Sequence, residues 1–353
     1  MRSTIPEGQP LVLQLAFPAE WRQSRNPLAE PAAAWARTFL AESGVLADPA
    51  AAATVEPLDL AGYSGFAFYA ADRGLLCTVT AFLALLELEG DRLAATGGGA
   101  AEADESILLV AWRGDGTRPP DPLHAAYWEL AQRYHKKVGR AFLSRHAERC
   151  RAFRRCRAAA GQDAAAASLP LYLERRREGS LALLLLDFLE LDASEALPEE
   201  LVTDPRLPSL ERLAADITTL QQELVEAASG GSNAARLLAA DELASPLEAF
   251  RQLVELHNRK VAELDRVGRA MARDYRSTPF ASFWIRVGGL LAGLGRWHAD
   301  NLRRRGDSAT LGGRLCRLSL DEVDEPDLDE SSVLTGAWRL PFLLSLGGAA
   351  LVS

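Results

Sequence analysis

Arg175-Arg176-Arg177-Glu178-Gly179-Ser180 runs directly into the apolar stretch Leu181 to Leu186. Farther on comes Asp216-Ile217-Thr218-Thr219-Leu220-Gln221-Gln222-Glu223-Leu224-Val225-Glu226, followed by Gly230 and Asn233. Thr218, Gln222 and Glu226 are spaced i, i+4, i+8, so a helix stacks them along one face. An oxygen-bearing stripe facing inward is one way to hold a hard divalent cation. An arginine cluster one helix earlier could hold the anion that such a cation bridges.

The chain around this stretch has 353 residues, of which 48% are hydrophobic and 25% charged, a soluble globular balance. Leu and Ala dominate and strand-like runs are few, which predicts an all-α fold with a large core. The formal net charge of -9 argues against nucleic acid as a main partner. No stretch reaches the ~20 apolar residues of a membrane span. The first residues lack a basic start followed by an apolar core, so no leader and a cytoplasmic location are expected. Cys77, Cys150, Cys156 and Cys316 lie far apart without metal spacing and read as free thiols in a reducing compartment. His124, His135, His146, His257 and His298 show no metal-ligand spacing either.

Working outward, Thr78 to Leu86 is an apolar run that ends in Glu87-Leu88-Glu89-Gly90-Asp91. Glu87 and Asp91 keep the i, i+4 spacing that two carboxylates need to share metal ions at a helix end. The plainer reading is that Glu87, Glu89 and Asp91 end a buried helix in water. Ser106 to Trp112 is strand-like, or equally a helix turn. A helix rich in arginine follows, up to Arg157, and its charges predict a solvated outer face. Ser245-Pro246-Leu247-Glu248 starts a helix with Pro in its first turn and an apolar face on Ala249, Leu253, Leu256, Val261 and Leu264.

The order of these features resembles the bacterial class I terpene cyclases. In that family a pyrophosphate-sensing Arg is followed by x-x-Asp-Gly, and here the counterpart is Arg175-Arg176-Arg177-Glu178-Gly179. The second magnesium motif, Asn-Asp-x-x-Ser-x-x-x-Glu, falls on Thr218 to Glu226, where only the final Glu survives. The Asp-Asp-x-x-Asp motif falls on Glu87 to Asp91, with Leu88 in place of the middle acid. Phe17-Pro18, Arg25-Asn26-Pro27 and Trp35 are similar to the family's opening, Pro170 and Tyr172 to its entry before the sensor, and Trp297-x-x-x-Asn301 to its penultimate motif. The family's closing Arg-Tyr pair is missing; Arg303-Arg304-Arg305 stands nearby.

The resemblance implies a single-domain class I terpenoid synthase-like helical bundle around a central cavity. It implies a linear prenyl diphosphate, of geranyl or farnesyl type, ionised and cyclised with release of pyrophosphate. Glu87, Asp91, Thr218, Gln222 and Glu226 would hold Mg2+, with fewer than three ions given the neutral ligands. Arg175, Glu178 and Gly179 would form the catalytic sensor segment, and Arg303, Arg304 and Arg305 would join Arg175 on the diphosphate. The competing reading is a catalytically impaired protein of this fold acting as a binding or partner subunit. A homodimer is also consistent with the family. Four stretches are expected: a flexible lead over 1–15, the helical domain over 16–306, an acidic flexible linker over 307–337, and an apolar segment over 338–353. That last segment is expected to dock on the protein's own body or on a protein partner.

Overall fold

The computed structural model describes residues 11–320, apart from 22–23, 96–107, 110, 114–115, 136–137, 159–167, 193–196, 229–232, 243–244, 277, 305–309 and 312–313. Its helices are α1 Ala29–Glu42, α2 Pro49–Val55, α3 Leu60–Ala67, α4 Arg73–Ala95, α5 Pro122–His135, α6 Arg140–Ala158 and α7 Leu169–Glu178. Then come α8 Leu181–Asp192, α9 Glu199–Val202, α10 Arg206–Ala228, α11 Asn233–Glu242, α12 Pro246–Asp274 and α13 Phe280–Arg304. The architecture is all-α, as composition predicts, with one small sheet beside the bundle.

Local chemistry sets the helix starts. The Asp48 side chain accepts from the Ala50 N–H ahead of Pro49 in α2. Ser245 Oγ accepts from the Glu248 N–H at the start of α12, with Pro246 in its first turn. Asp59 does two jobs: Oδ1 caps α3 through the Gly62 N–H at 2.8 Å, and Oδ2 accepts from Trp297 Nε1 at 3.0 Å. Trp297 thereby ties α13 to the start of α3, and its ring meets Tyr63 edge-on at 4.9 Å. At Gly293 the two helices come so close that a Cβ would lie 2.0 Å from the Phe66 carbonyl oxygen, so only glycine fits. The Asn26 amide donates to the Phe68 and Ala71 carbonyls at 2.8 and 3.0 Å, which explains the buried asparagine before Pro27.

Within the bundle, α10 packs against α8, α12 and α13, and α4 packs against α1, α3 and α5. The centre is aromatic: Phe82 of α4 meets Phe188 of α8 at 5.0 Å and Tyr127 of α5 at 5.7 Å. Of the strand-like run 106–112, the described residues Leu108, Leu109, Ala111 and Trp112 are helical, and Leu108, Ala111 and Trp112 are buried.

One expectation needs correction. The arginines of α6 form a solvated outer face only in part: Arg140 and Arg155 are exposed. His146, Arg149, Cys150, Phe153, Arg154 and Arg157 recur at helical spacing, and this stripe turns inward. Arg149 meets Asp187 and Glu211, each at 2.6 Å, Arg145 pairs with Glu190, and Arg154 lies 2.8 Å from Glu89 with 7% of its side chain exposed. The acceptors come from α4, α8 and α10, far along the sequence, so the charge pattern of α6 alone does not reveal them.

A small sheet joins the two ends of the described chain. Leu11–Leu15 forms β1 and pairs in parallel with Cys316–Leu320 in β3, Arg314–Leu320. The short β2, Thr310–Leu311, pairs antiparallel on the other side of β3, giving the order β1-β3-β2. Asn258 of α12 fastens this sheet: its amide donates to the Gln14 carbonyl, and its Oδ1 accepts from the Ala16 N–H, both at 3.0 Å. The acidic tract Asp321 to Asp329 and the apolar segment 338–353 lie outside the described residues.

Candidate active site

Three helix ends bring the charged residues of the motif regions together. Helix α7 stops at Glu178, Gly179 forms its C-cap, and α8 restarts at Leu181. Gly179 sits against α6: a Cβ there would lie 2.2 Å from the Cys156 Cβ. The break therefore presses the arginine-bearing end of α7 onto the end of α6. Arg176 is half-buried, and its Nη2 donates to Gln222 Oε1 of α10 at 3.2 Å. Arg157, half-buried at the end of α6, lies in the field of Glu87, Asp91 and Glu89 from α4 and of Arg176 from α7. Burial lowers the Arg157 guanidinium from its ordinary value, Glu87 and Asp91 oppose that, and the like charge of Arg176 adds to it. It stays protonated at neutral pH, as a guanidinium does.

Charge links Glu87 and Asp91 to Arg157, Arg157 to Arg176, and Arg176 to Glu226, and Arg176 also bonds Gln222. Glu226 is 8% exposed, and its Oε1 has no hydrogen-bond partner among the described residues. Burial, reinforced by the neighbouring Glu223 charge and opposed by Arg176, pushes its carboxyl up to about 9, so it carries a proton at neutral pH. Glu223 itself is held by the Tyr172 hydroxyl and by the Ala234 N–H at 2.9 Å.

The other motif residues are placed differently. Thr218 turns its hydroxyl back to the Ala214 carbonyl at 3.0 Å. Asp91 is exposed, and its Oδ2 accepts from Thr54 Oγ1 at 2.6 Å, whereas Glu87 is buried. Asp216 is buried between Arg177 at 2.6 Å and Lys260 at 2.9 Å. Arg175 is exposed; the side chain that reaches α10 is its neighbour Arg176. Adjacent helical residues point about 100° apart, so a one-residue register difference exchanges the inward arginine for an outward one. The side chains of Glu178, Arg303 and Arg304, and all of Arg305, lie outside the described residues.

Two buried clusters escape sequence reasoning. Glu89 takes Arg154 on Oε1 and the Tyr127 hydroxyl on Oε2 at 2.9 Å, fixing the acidic end of α4 to α5 and α6. His146 Nδ1 lies 3.0 Å from Asp187, and its Nε2 lies 3.7 Å from Cys150 Sγ, inside a ring of Phe82, Tyr134, Phe142 and Phe188. The order Cys–His–Asp has the look of a nucleophile and its base. Burial pushes the Cys150 thiol far up, however, so it remains an unreactive core thiol.

Residues 97–263 match the family model described as terpene synthase family 2, C-terminal metal binding. Among solved structures, a hedycaryol synthase in complex with HEPES superposes with a TM-score of 0.67 at 18% identity, covering 79% of this chain and 96% of that one. The chain has the fold of a class I terpene synthase. A germacradien-4-ol synthase from Streptomyces citricolor gives a TM-score of 0.65 at 18% identity, over 78% of this chain and 94% of that one. Wild-type cucumene synthase gives 0.63 at 18% identity, over 79% and 98%. A search of curated protein sequences yields no match. The likeness of this sequence to bacterial class I terpene cyclases therefore holds in both sequence and fold. No helix among the described residues is long and apolar enough to cross a membrane.

The matched family model is described as metal binding, and the donor set bears on that directly. Magnesium takes oxygen ligands in near-octahedral array, chiefly carboxylates, waters and substrate phosphate. Here Gln222 Oε1 faces Arg176, Thr218 is bonded within its own helix, and Asp91 Oδ2 takes the Thr54 hydroxyl. No group of three or more His, Cys, Asp or Glu side chains suited to a metal occurs among the described residues. This arrangement does not fit a magnesium cluster.

Proposed function

We propose that this chain is a divergent class I terpene cyclase that binds a linear prenyl diphosphate, of geranyl or farnesyl type, and converts it to a cyclic product with release of pyrophosphate. The observation that carries this reading is the meeting of α4, α6, α7 and α10 at one charged site. It sits beside the α7–α8 break in a terpene synthase fold. Arg157 and Arg176 supply positive charge where the diphosphate would lie. Guanidinium groups match phosphate oxygens in geometry and, in a half-buried site, act with little screening. Charge held in place before the reaction stabilises the departing pyrophosphate as its negative charge develops. The apolar walls of the bundle would exclude water from the allylic cation.

A second reading, a binding protein that has lost turnover, is favoured by one specific feature. Asp91, Gln222 and Thr218 already have partners within the chain. Incubation with geranyl, farnesyl and geranylgeranyl diphosphates separates the two, with released pyrophosphate and volatile products as readouts. Cyclic hydrocarbon or alcohol products above the no-protein control are expected. Binding of these diphosphates without pyrophosphate release, in magnesium, in manganese and in chelator alike, would instead establish the binding protein.

A further inference from the structure

We infer that Arg157 and Arg176 take the place of metal ions in this site, so that the chain grips a diphosphate group without a divalent cation. The inference rests on the diphosphate reading above and specifies how that group is held. Two observations lead to it.

First, three of the family metal positions, Asp91, Thr218 and Gln222, are turned toward internal partners. Gln222 Oε1 accepts from Arg176 at 3.2 Å, and Thr218 is bonded to the Ala214 carbonyl. Glu87 and Asp91 act on Arg157. A guanidinium beside a carboxylate supplies positive charge that a metal would otherwise bring.

Second, the two guanidiniums are brought close enough to act on each other as like charges. They arrive from different helices, α6 and α7, at ends pressed together by the contact of Gly179 with Cys156. Convergent like charges in a half-buried site are unfavourable on their own, and an anion placed between them removes the repulsion. A diphosphate has oxygens enough to take both forks at once.

Arg175, the residue the family register would select, is exposed on α7.

The test is calorimetric titration of the full chain with inorganic pyrophosphate, in excess EDTA and then in magnesium. Binding in EDTA is expected, with the affinity changing less than about threefold when magnesium is added. R157Q and R176Q should each weaken it at least tenfold, whereas R140Q, exposed at the opposite end of α6, should leave it unchanged. Removing Arg157 strands Glu87, so E87Q/R157Q is measured beside it, with circular dichroism to confirm that each variant is folded. Pyrophosphate binding that vanishes in EDTA would overturn the inference, as would folded R157Q, E87Q/R157Q and R176Q proteins that bind like the parent. The cyclase reading is judged separately, by turnover of prenyl diphosphates. Turnover with strictly magnesium-dependent pyrophosphate binding refutes only the arginine grip. Arginine-dependent binding in EDTA without turnover refutes only the cyclase.

Discussion

Glu226 and His257 are both forced into their neutral forms by burial, and they oppose each other in their effect on stability. The Glu226 carboxyl is pushed from 4.5 up to about 9, chiefly by burial. Between those values the folded state holds a proton that the unfolded state releases, so stability is full below about pH 4.5 and declines as pH rises towards 9. His257 is fully buried against Phe17 and falls to about 4 from 6.5, again mainly through burial. There the unfolded state takes up the proton first, so stability is lost as pH falls from 6.5 to 4. Glu226→Gln removes the first titration and leaves the second. Thermal unfolding of E226Q should match the parent near pH 5 and exceed it near pH 9 by about 1 kcal/mol or more, since a tenfold difference in proton affinity between the folded and unfolded states corresponds to about 1.4 kcal/mol. An equal alkaline decline in parent and variant would mean that Glu226 is not the group responsible. The same carboxyl shows what one sequence can reveal. Its place on the helical stripe of Thr218 and Gln222 was legible from spacing, but its protonation was not, because that depends on Glu223 and Arg176 being folded around it.

At the level of elements, the break between α7 and α8 holds the charged ends in place. Gly179 was legible as a helix stop, yet the reason only glycine fits is tertiary: a side chain there would strike the Cys156 Cβ at 2.2 Å. Gly179→Ala should destabilise the protein by about 1–3 kcal/mol, the usual range for overpacking a filled contact. Adding Cys156→Ala should not rescue it, because the closest atom is the Cβ that alanine keeps. Urea unfolding of the single and double variants checks this, and recovery in the double variant would place the clash on the sulfur. The acidic end of α4 and the motif helix α10 were also readable, since apolar runs and i, i+4 spacing are local signals. Two features were not. Whether Arg175 or Arg176 faces inward turns on a single residue of register on a short helix whose three consecutive arginines give no phase. The inward stripe of α6 looked like a solvent face because its partners Glu89, Asp187, Glu190 and Glu211 belong to other helices.

For the whole molecule, Asn258 is the link between the edge sheet and the helical body. It bonds the chain on both sides of Leu15, and its Oδ1 also lies 3.0 Å from His257 Nδ1. The His257 Nε2 lies 3.4 Å from the Gln221 amide, which donates to the Leu291 carbonyl at 3.0 Å. The strand is thus connected through α12 to the residue beside Gln222. Asn258→Ala strips the cap from two backbone groups and should cost about 1–3 kcal/mol, the usual penalty for orphaned polar partners. Hydrogen exchange should show the loss concentrated in the Leu11–Leu15 amides, with the amides of α4 little changed; uniform acceleration would deny the link this local role. The sheet was invisible in the sequence because a parallel pair leaves no local turn signal and its two strands stand at opposite ends of the described chain. That separation has a consequence during synthesis. Helical neighbours such as α3 and α4 can associate soon after they leave the ribosome, but β1 emerges first and must wait for β3. At 5–20 residues per second, a gap of about 300 residues corresponds to a delay of about 15–60 s. For that interval, until translation reaches Leu320, the nascent Leu-Val-Leu-Gln-Leu segment lacks its native strand partner.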